Sequence, residues 1–170
     1  MEIRITRQNE ERRIMNSHLS NIIYNTLQVI NNFPNMHQEI IDNGGIEIGA
    51  SNSRKTSLSF KPISTKFERT ICANWTFYYK FDLIYQCACI NNEDRLNAID
   101  FLSSLTHWLV GNYKINDISV RDFLPVQFSN GSLDRFIIEN DVTILSRDLN
   151  GIELFSSTLN SLSTILFCEG

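Results

Sequence analysis

Along the N-terminal stretch Met15, Leu19, Ile22, Thr26 and Val29 recur at steps of four and three, and Ile23, Leu27 and Ile30 widen the line. A period of 3.6 residues gathers such positions on one face, so the pattern predicts a core-facing helix from about Thr6 to Asn32. Its first turns carry Arg7, Glu10, Glu11, Arg12 and Arg13 with little apolar surface, which directs that end to water or to a partner. Asn31-Asn32-Phe33-Pro34 closes it, because the residue before a proline is pushed out of the α region.

Further on the period changes to two. Ile71, Ala73, Trp75, Phe77, Tyr79, Phe81, Leu83 and Tyr85 are apolar at every second position, with mostly polar residues between them, which places the aromatics on one face of a long strand. Cys87 and Cys89 continue that face and read as packing residues. Before it, Ser57 to Ile63 predicts a short strand whose Pro62 suits an edge or a strand end. Between these and the first helix, Asp42 to Ser57 is rich in turn formers and predicts a long flexible surface loop.

A second helix is expected from the Asn91-Asn92-Glu93-Asp94 cap to Val110, with Leu96, Ile99, Phe101, Leu102, Leu105, Trp108 and Leu109 on its apolar face and Gly111 as its stop. The remainder predicts strands at Ile118–Val120, Val126–Phe128, Phe136–Leu145 and Ile152–Phe167, with turns at Asn130-Gly131 and Asn150-Gly151. The expected fold is α+β: one antiparallel or mixed sheet with two main helices packed on it, plus the long loop, in a single domain spanning 1–170 with 1–13 as a charged extension. Trp75, Phe77, Phe81, Leu102, Leu105 and Trp108 are its expected core.

Composition narrows the function classes. The 170 residues carry 15 Lys+Arg against 19 Asp+Glu, a net charge of -4, so the basic excess of a protein that grips a phosphate backbone is missing. No apolar run approaches the ~20 residues of a membrane span, and the N-terminus reads as that of a protein made in the cytoplasm. The four cysteines, Cys72, Cys87, Cys89 and Cys168, include no Cys-x-x-Cys pair and read as reduced thiols.

Candidate chemistry is sparse, and the familiar nucleotide, hydrolase and metalloprotease motifs are absent from the sequence. His107 could face Cys72 or Cys87 as a nucleophile pair, and Cys87-x-Cys89 with His107 has the elements but not the spacing of a zinc site. The acidic pairs Glu93-Asp94, Glu139 with Asp141 and Asp148 with Glu153 read as solvated loop residues. Arg12-Arg13 and Arg54-Lys55 are small basic patches at projecting positions and are the candidate interface residues. No catalytic, cofactor-binding or metal-ligating residue is assigned.

The order and spacing of these features resemble the phage tail terminator, or minor capsid, proteins that join tail to head. The matching residues are the first helix ending in Asn32-Phe33-Pro34, the short strand Leu58-Ser-Phe60-Lys-Pro62, the aromatic strand Trp75-Thr-Phe77-Tyr-Tyr79, the helix Asn97 to Leu109 containing His-Trp108-Leu, and the β-rich part through Phe155 to Phe167. The resemblance covers about Asn16 to Phe167. It departs at Phe67-Glu-Arg-Thr-Ile71, where the family often has a glycine-led turn, and at Ser156 to Leu162, where an aromatic-rich strand is common.

What the resemblance implies is a structural virion protein and not an enzyme. It would form a homo-oligomeric ring of six copies that caps the tail tube, stops its polymerisation and offers a docking surface to the head connector. The implied partners are further copies of the chain, the major tail tube protein and the connector or stopper protein. DNA would pass only in transit, and neither membrane nor cofactor is involved. A net negative charge suits a channel that must not hold DNA. The alternatives are a head-completion or stopper protein on the portal side, or a small cytoplasmic enzyme using a Cys-His pair.

Overall fold

The computed structural model describes residues 18–49, 56–70, 74–147 and 151–166. Helix α1 covers residues 18–31, α2 spans Gln38–Asp42 and α3 spans Asn92–Val110. The strands are β1 (Glu47–Ile48), β2 (Ser57–Arg69), β3 (Trp75–Ala88), β4 (Val126–Phe128), β5 (Gly131–Arg147) and β6 (Ile152–Ile165), in the sheet order β1-β2-β3-β6-β5-β4. β1 runs parallel to β2, and every other pairing is antiparallel.

This corrects the expected architecture. The molecule is a six-stranded mixed half-barrel with three helices, not two helices packed on one sheet. The physical reason lies in strand length. β2, β3, β5 and β6 hold 13, 14, 17 and 14 residues, well beyond the usual ~5 or 6. Right-handed twist accumulates along such strands. The register of β5 on β6 also shifts at four places and that of β2 on β3 at one, and each bulge bends its strand. The third helix, α2, has only 5 residues, too few to show a helical period.

Several boundaries move for equally local reasons. β2 does not stop near Pro62: the register shift between Pro62 and Ser64 absorbs the missing N–H donor, and the strand continues to Arg69. The expected loop from Asp42 to Ser57 begins inside α2, contains β1 and ends in β2, while residues 50–55 lie outside the described part. No strand forms at Ile118–Val120. Ile115 and Ile118 make an isolated bridge, followed by a 3-10 turn at Val120–Asp122 closed by reciprocal Ser119 and Asp122 caps.

α3 follows from its sequence. Asn91 caps it by accepting from the Asp94 amide at 3.0 Å, Glu93 and Asp94 sit at the positive end of its dipole, and Gly111 ends it at φ 90, a left-handed conformation that glycine adopts without penalty. One core joins the helices to the sheet. Trp75, Phe77, Phe81, Leu102, Leu105 and Trp108 are all buried in it with Ile22, Ile30, Ile40 and Phe155. Trp108 also donates its indole N–H to the Ile118 carbonyl at 3.1 Å, which satisfies its one polar atom inside the core, whereas the buried Trp75 indole nitrogen has no hydrogen-bond partner among the described residues.

Candidate functional site

After α1 the chain turns at Phe33-Pro34, and Phe33 locks the turn by packing edge-on against Phe101 and Trp108 of α3. His37 then begins α2 with an extended backbone and does not cap the helix with its side chain. Its ring stacks on Phe101 at 3.9 Å, and its Nδ1 shares a hydrogen bond of 3.0 Å with the Tyr85 hydroxyl of β3. The result is a cleft of about 590 Å³ between α2 and the first turns of α3, lined by His37, Glu39, Thr56, Tyr85, Cys87 and Asp94 among others. That volume falls in the range of ligand pockets.

Burial sets the chemistry of the cleft floor. The Cys87 and Cys89 sulfurs lie 3.6 Å apart, and loss of water, reinforced by the second thiol, pushes Cys87 up to about 12. Burial raises Cys89 and Tyr85 as well. At neutral pH these groups are protonated, so the thiols are poor nucleophiles and poor metal ligands. Desolvation of the His37 ring lowers its pKa, and nearby Glu39 partly opposes this. Among the described residues no group of three or more His, Cys, Asp or Glu side chains could hold a metal ion.

The rim is acidic. Glu39 stands in the first turn of α2, and Asp94 accepts from the Ile90 amide at 2.9 Å while still lining the cleft. Behind the rim, Arg95 gives one hydrogen bond to Asn92 at 2.8 Å and pairs through Nε with Glu153 at 2.8 Å. Glu153 is 0% exposed, which corrects the expectation of a solvated loop carboxylate. It sits inside β6, opposite Cys87 in the ladder.

The other sequence candidates are dispersed. His107 bonds Asp141 at 3.3 Å and Asn112 at 2.9 Å. It lies 9 or more residues along α3 from the cleft-lining positions Asp94, Asn97 and Ala98 that accompany Cys87, about 14 Å at ~1.5 Å per residue. Cys87 and His107 therefore do not form the imagined pair; the histidine brought to Cys87 is His37, which no motif marks. Glu139 pairs with Lys80 at 2.8 Å beside a smaller groove of about 230 Å³ that also holds Lys66 and Tyr78. Tyr78 donates to Glu68 at 3.0 Å, and Lys66 stands 5.9 Å from the Tyr78 ring centre. Cys72, Cys168, Asp148 and the interface candidates Arg12, Arg13, Arg54 and Lys55 lie outside the described residues.

Among the described residues no helix is long and apolar enough to cross a membrane. No family model matches the chain, and no curated protein is significantly similar to it.

Proposed function

We propose that the chain is a ring-forming virion subunit that caps a phage tail tube, halts its polymerisation and presents a docking surface to the head connector at the head-tail junction. The observation that carries this reading is the character of the cleft end of the half-barrel. Ile41 of α2, Ile90 just ahead of the α3 cap and Leu96 of α3 are exposed on the elements that wall the cleft, Ile90 to 90% and Leu96 to 66%, and Ile48 is exposed in β1. The same elements carry Glu39, Asp42, Glu47, Glu93 and Asp94, of which Glu39 and Asp94 line the cleft.

Large apolar side chains left in water on neighbouring elements suit a contact surface. Two copies that met through this same end would force like carboxylates together, at a cost. The favoured contact is heterologous, one end of a subunit against a different surface of the next, and heterologous contacts either close rings or run on as filaments. The tube, the connector and the number six come from the family resemblance alone.

Native mass spectrometry of the protein, alone and mixed with its tail tube protein, tests the reading. The expected species is a closed ring of about six copies, and electron microscopy should find it seated on tube ends of limited length. A strict monomer in both settings, with tubes growing freely, overturns it.

A further inference from the structure

We propose that the cleft between α2 and α3 receives the Arg12-Arg13-Ile14-Met15 segment of a second copy, an inference that rests on the self-assembly read above. The cleft suits a cation with apolar neighbours: its rim carries Glu39 and Asp94, and Ile41 and Leu96 are exposed on the two helices that wall it. Among the described residues, Arg95, next in sequence to the rim residue Asp94, is already held by Glu153 and Asn92. Two guanidinium groups followed by Ile14 and Met15 supply that chemistry, and guanidinium-carboxylate pairs are among the stronger hydrogen-bonded contacts.

Connectivity decides which copy provides it. The His18 ring lies 6.0 Å from Phe128. Phe128 pairs with Gly131, Gly131 with Ile165 and Ile165 with Trp75, so the described start of α1 lies over the Trp75 end of the sheet. The cleft is at the other end of β3, beside Tyr85 and Cys87. From Trp75 to Tyr85 an extended strand spans about 33 Å at ~3.3 Å per residue. Arg13 precedes His18 by five positions, a reach of ~18 Å even when fully extended. A segment of that reach falls short of its own cleft, which leaves a cleft presented by a neighbour. Arg69, 5.8 Å from the Trp75 ring centre, adds positive charge at the same end. Arg54 and Lys55 directly precede the cleft-lining Thr56, which makes them the competing occupant from the same copy.

The test uses full-length chains: wild type, Arg12→Glu/Arg13→Glu, Glu39→Arg, the three changes combined, and Arg54→Glu/Lys55→Glu, each checked for an unchanged melting temperature. The concentration for half-assembly should rise about tenfold or more for each one-sided reversal and return to within a few-fold of wild type in the combined variant. Reversing Arg54 and Lys55 should leave it in place. A synthetic peptide of residues 1–17, titrated into the full-length protein, should shift the His37 ring signals in NMR, and Glu39→Arg should abolish that shift. Rings that assemble equally well in all variants overturn the contact and leave the ring reading intact. A dependence on Arg54 and Lys55 alone overturns it in favour of the same-copy occupant. A monomeric wild type that still binds the peptide through Glu39 retains the contact and retires the ring, and a monomer that ignores the peptide overturns both.

Discussion

The Nδ1 atom of His37 and the hydroxyl oxygen of Tyr85 lie 3.0 Å apart, tying the start of α2 to the final third of β3 across 48 residues of sequence. Because the His37 side chain is also stacked on Phe101, one ring joins α2, the sheet and α3. Desolvation holds its pKa below the ordinary 6.5, and burial does the same to His18.

A pH dependence follows, with a definite sign. In the unfolded chain both histidines take up protons more readily than in the folded one, so acidification favours unfolding. The urea midpoint should hold near pH 7.5, fall as pH drops below 6.5 and level off under the depressed folded values. His37→Gln should flatten the decline. A slope identical to wild type would remove His37 from the coupling.

The Arg95–Glu153 pair gives a second test, because Glu153 is fully buried while Arg95 keeps partial contact with water. Arg95→Ala strips the guanidinium from a carboxylate in the sheet and should cost roughly 3 to 5 kcal/mol in urea unfolding. Replacing both partners with apolar residues, Arg95→Met with Glu153→Leu, should recover most of that loss. If the single change is silent, the buried carboxylate is stabilised by other means.

Within the core, Phe81→Ala and Trp108→Ala each remove a fully buried ring and should cost ~3 to 5 kcal/mol. Trp108→Phe separates shape from polarity. It keeps a ring in place but leaves the Ile118 carbonyl without its indole donor, worth about 1 kcal/mol. Equilibrium unfolding of the three variants should therefore rank Trp108→Phe as the mildest.

Two glycines should fail for different reasons. At Gly131 an added Cβ would stand 2.6 Å from a Phe128 ring carbon and 2.7 Å from the Thr164 carbonyl oxygen, so Gly131→Ala should force the β4–β5 hairpin apart. Gly111→Ala meets only ordinary contacts but must hold φ 90, a strain of about 1 to 2 kcal/mol. Thermal melting should show both losses, with displaced Phe128 signals in NMR only for Gly131→Ala.

Local signals made α3 and β3 legible. Asn91, Glu93, Asp94 and Gly111 state where a helix begins and ends, and the alternation from Trp75 to Cys87 survives as an alternating burial pattern. β1 carries no signal of its own, because its two residues sit in a run of turn formers and gain strand character only by pairing with Ser59 and Phe60. β5 runs beyond the expected Phe136–Leu145 at both ends, and register shifts at four places break its period of two. The cleft had no sequence signature at all. Its walls come from positions near 37, 85 and 94, and only the crossing of α2, β3 and α3 brings them together.

The sheet order also sets a timetable for folding. β2 with β3 and β5 with β6 are neighbours in sequence and can pair early, whereas β3 meets β6 across separations from 64 residues at Ala88–Ile152 to 90 at Trp75–Ile165. Closing so large a loop carries an entropic cost that only the completed ladder offsets. A nascent chain that has just released α3 from the ribosome thus displays the aromatic edge of β3 with no strand to cover it. Until the last residues of β6 emerge, that edge is open to any other unfinished chain, so crowded synthesis favours tangles between copies before any one of them is complete.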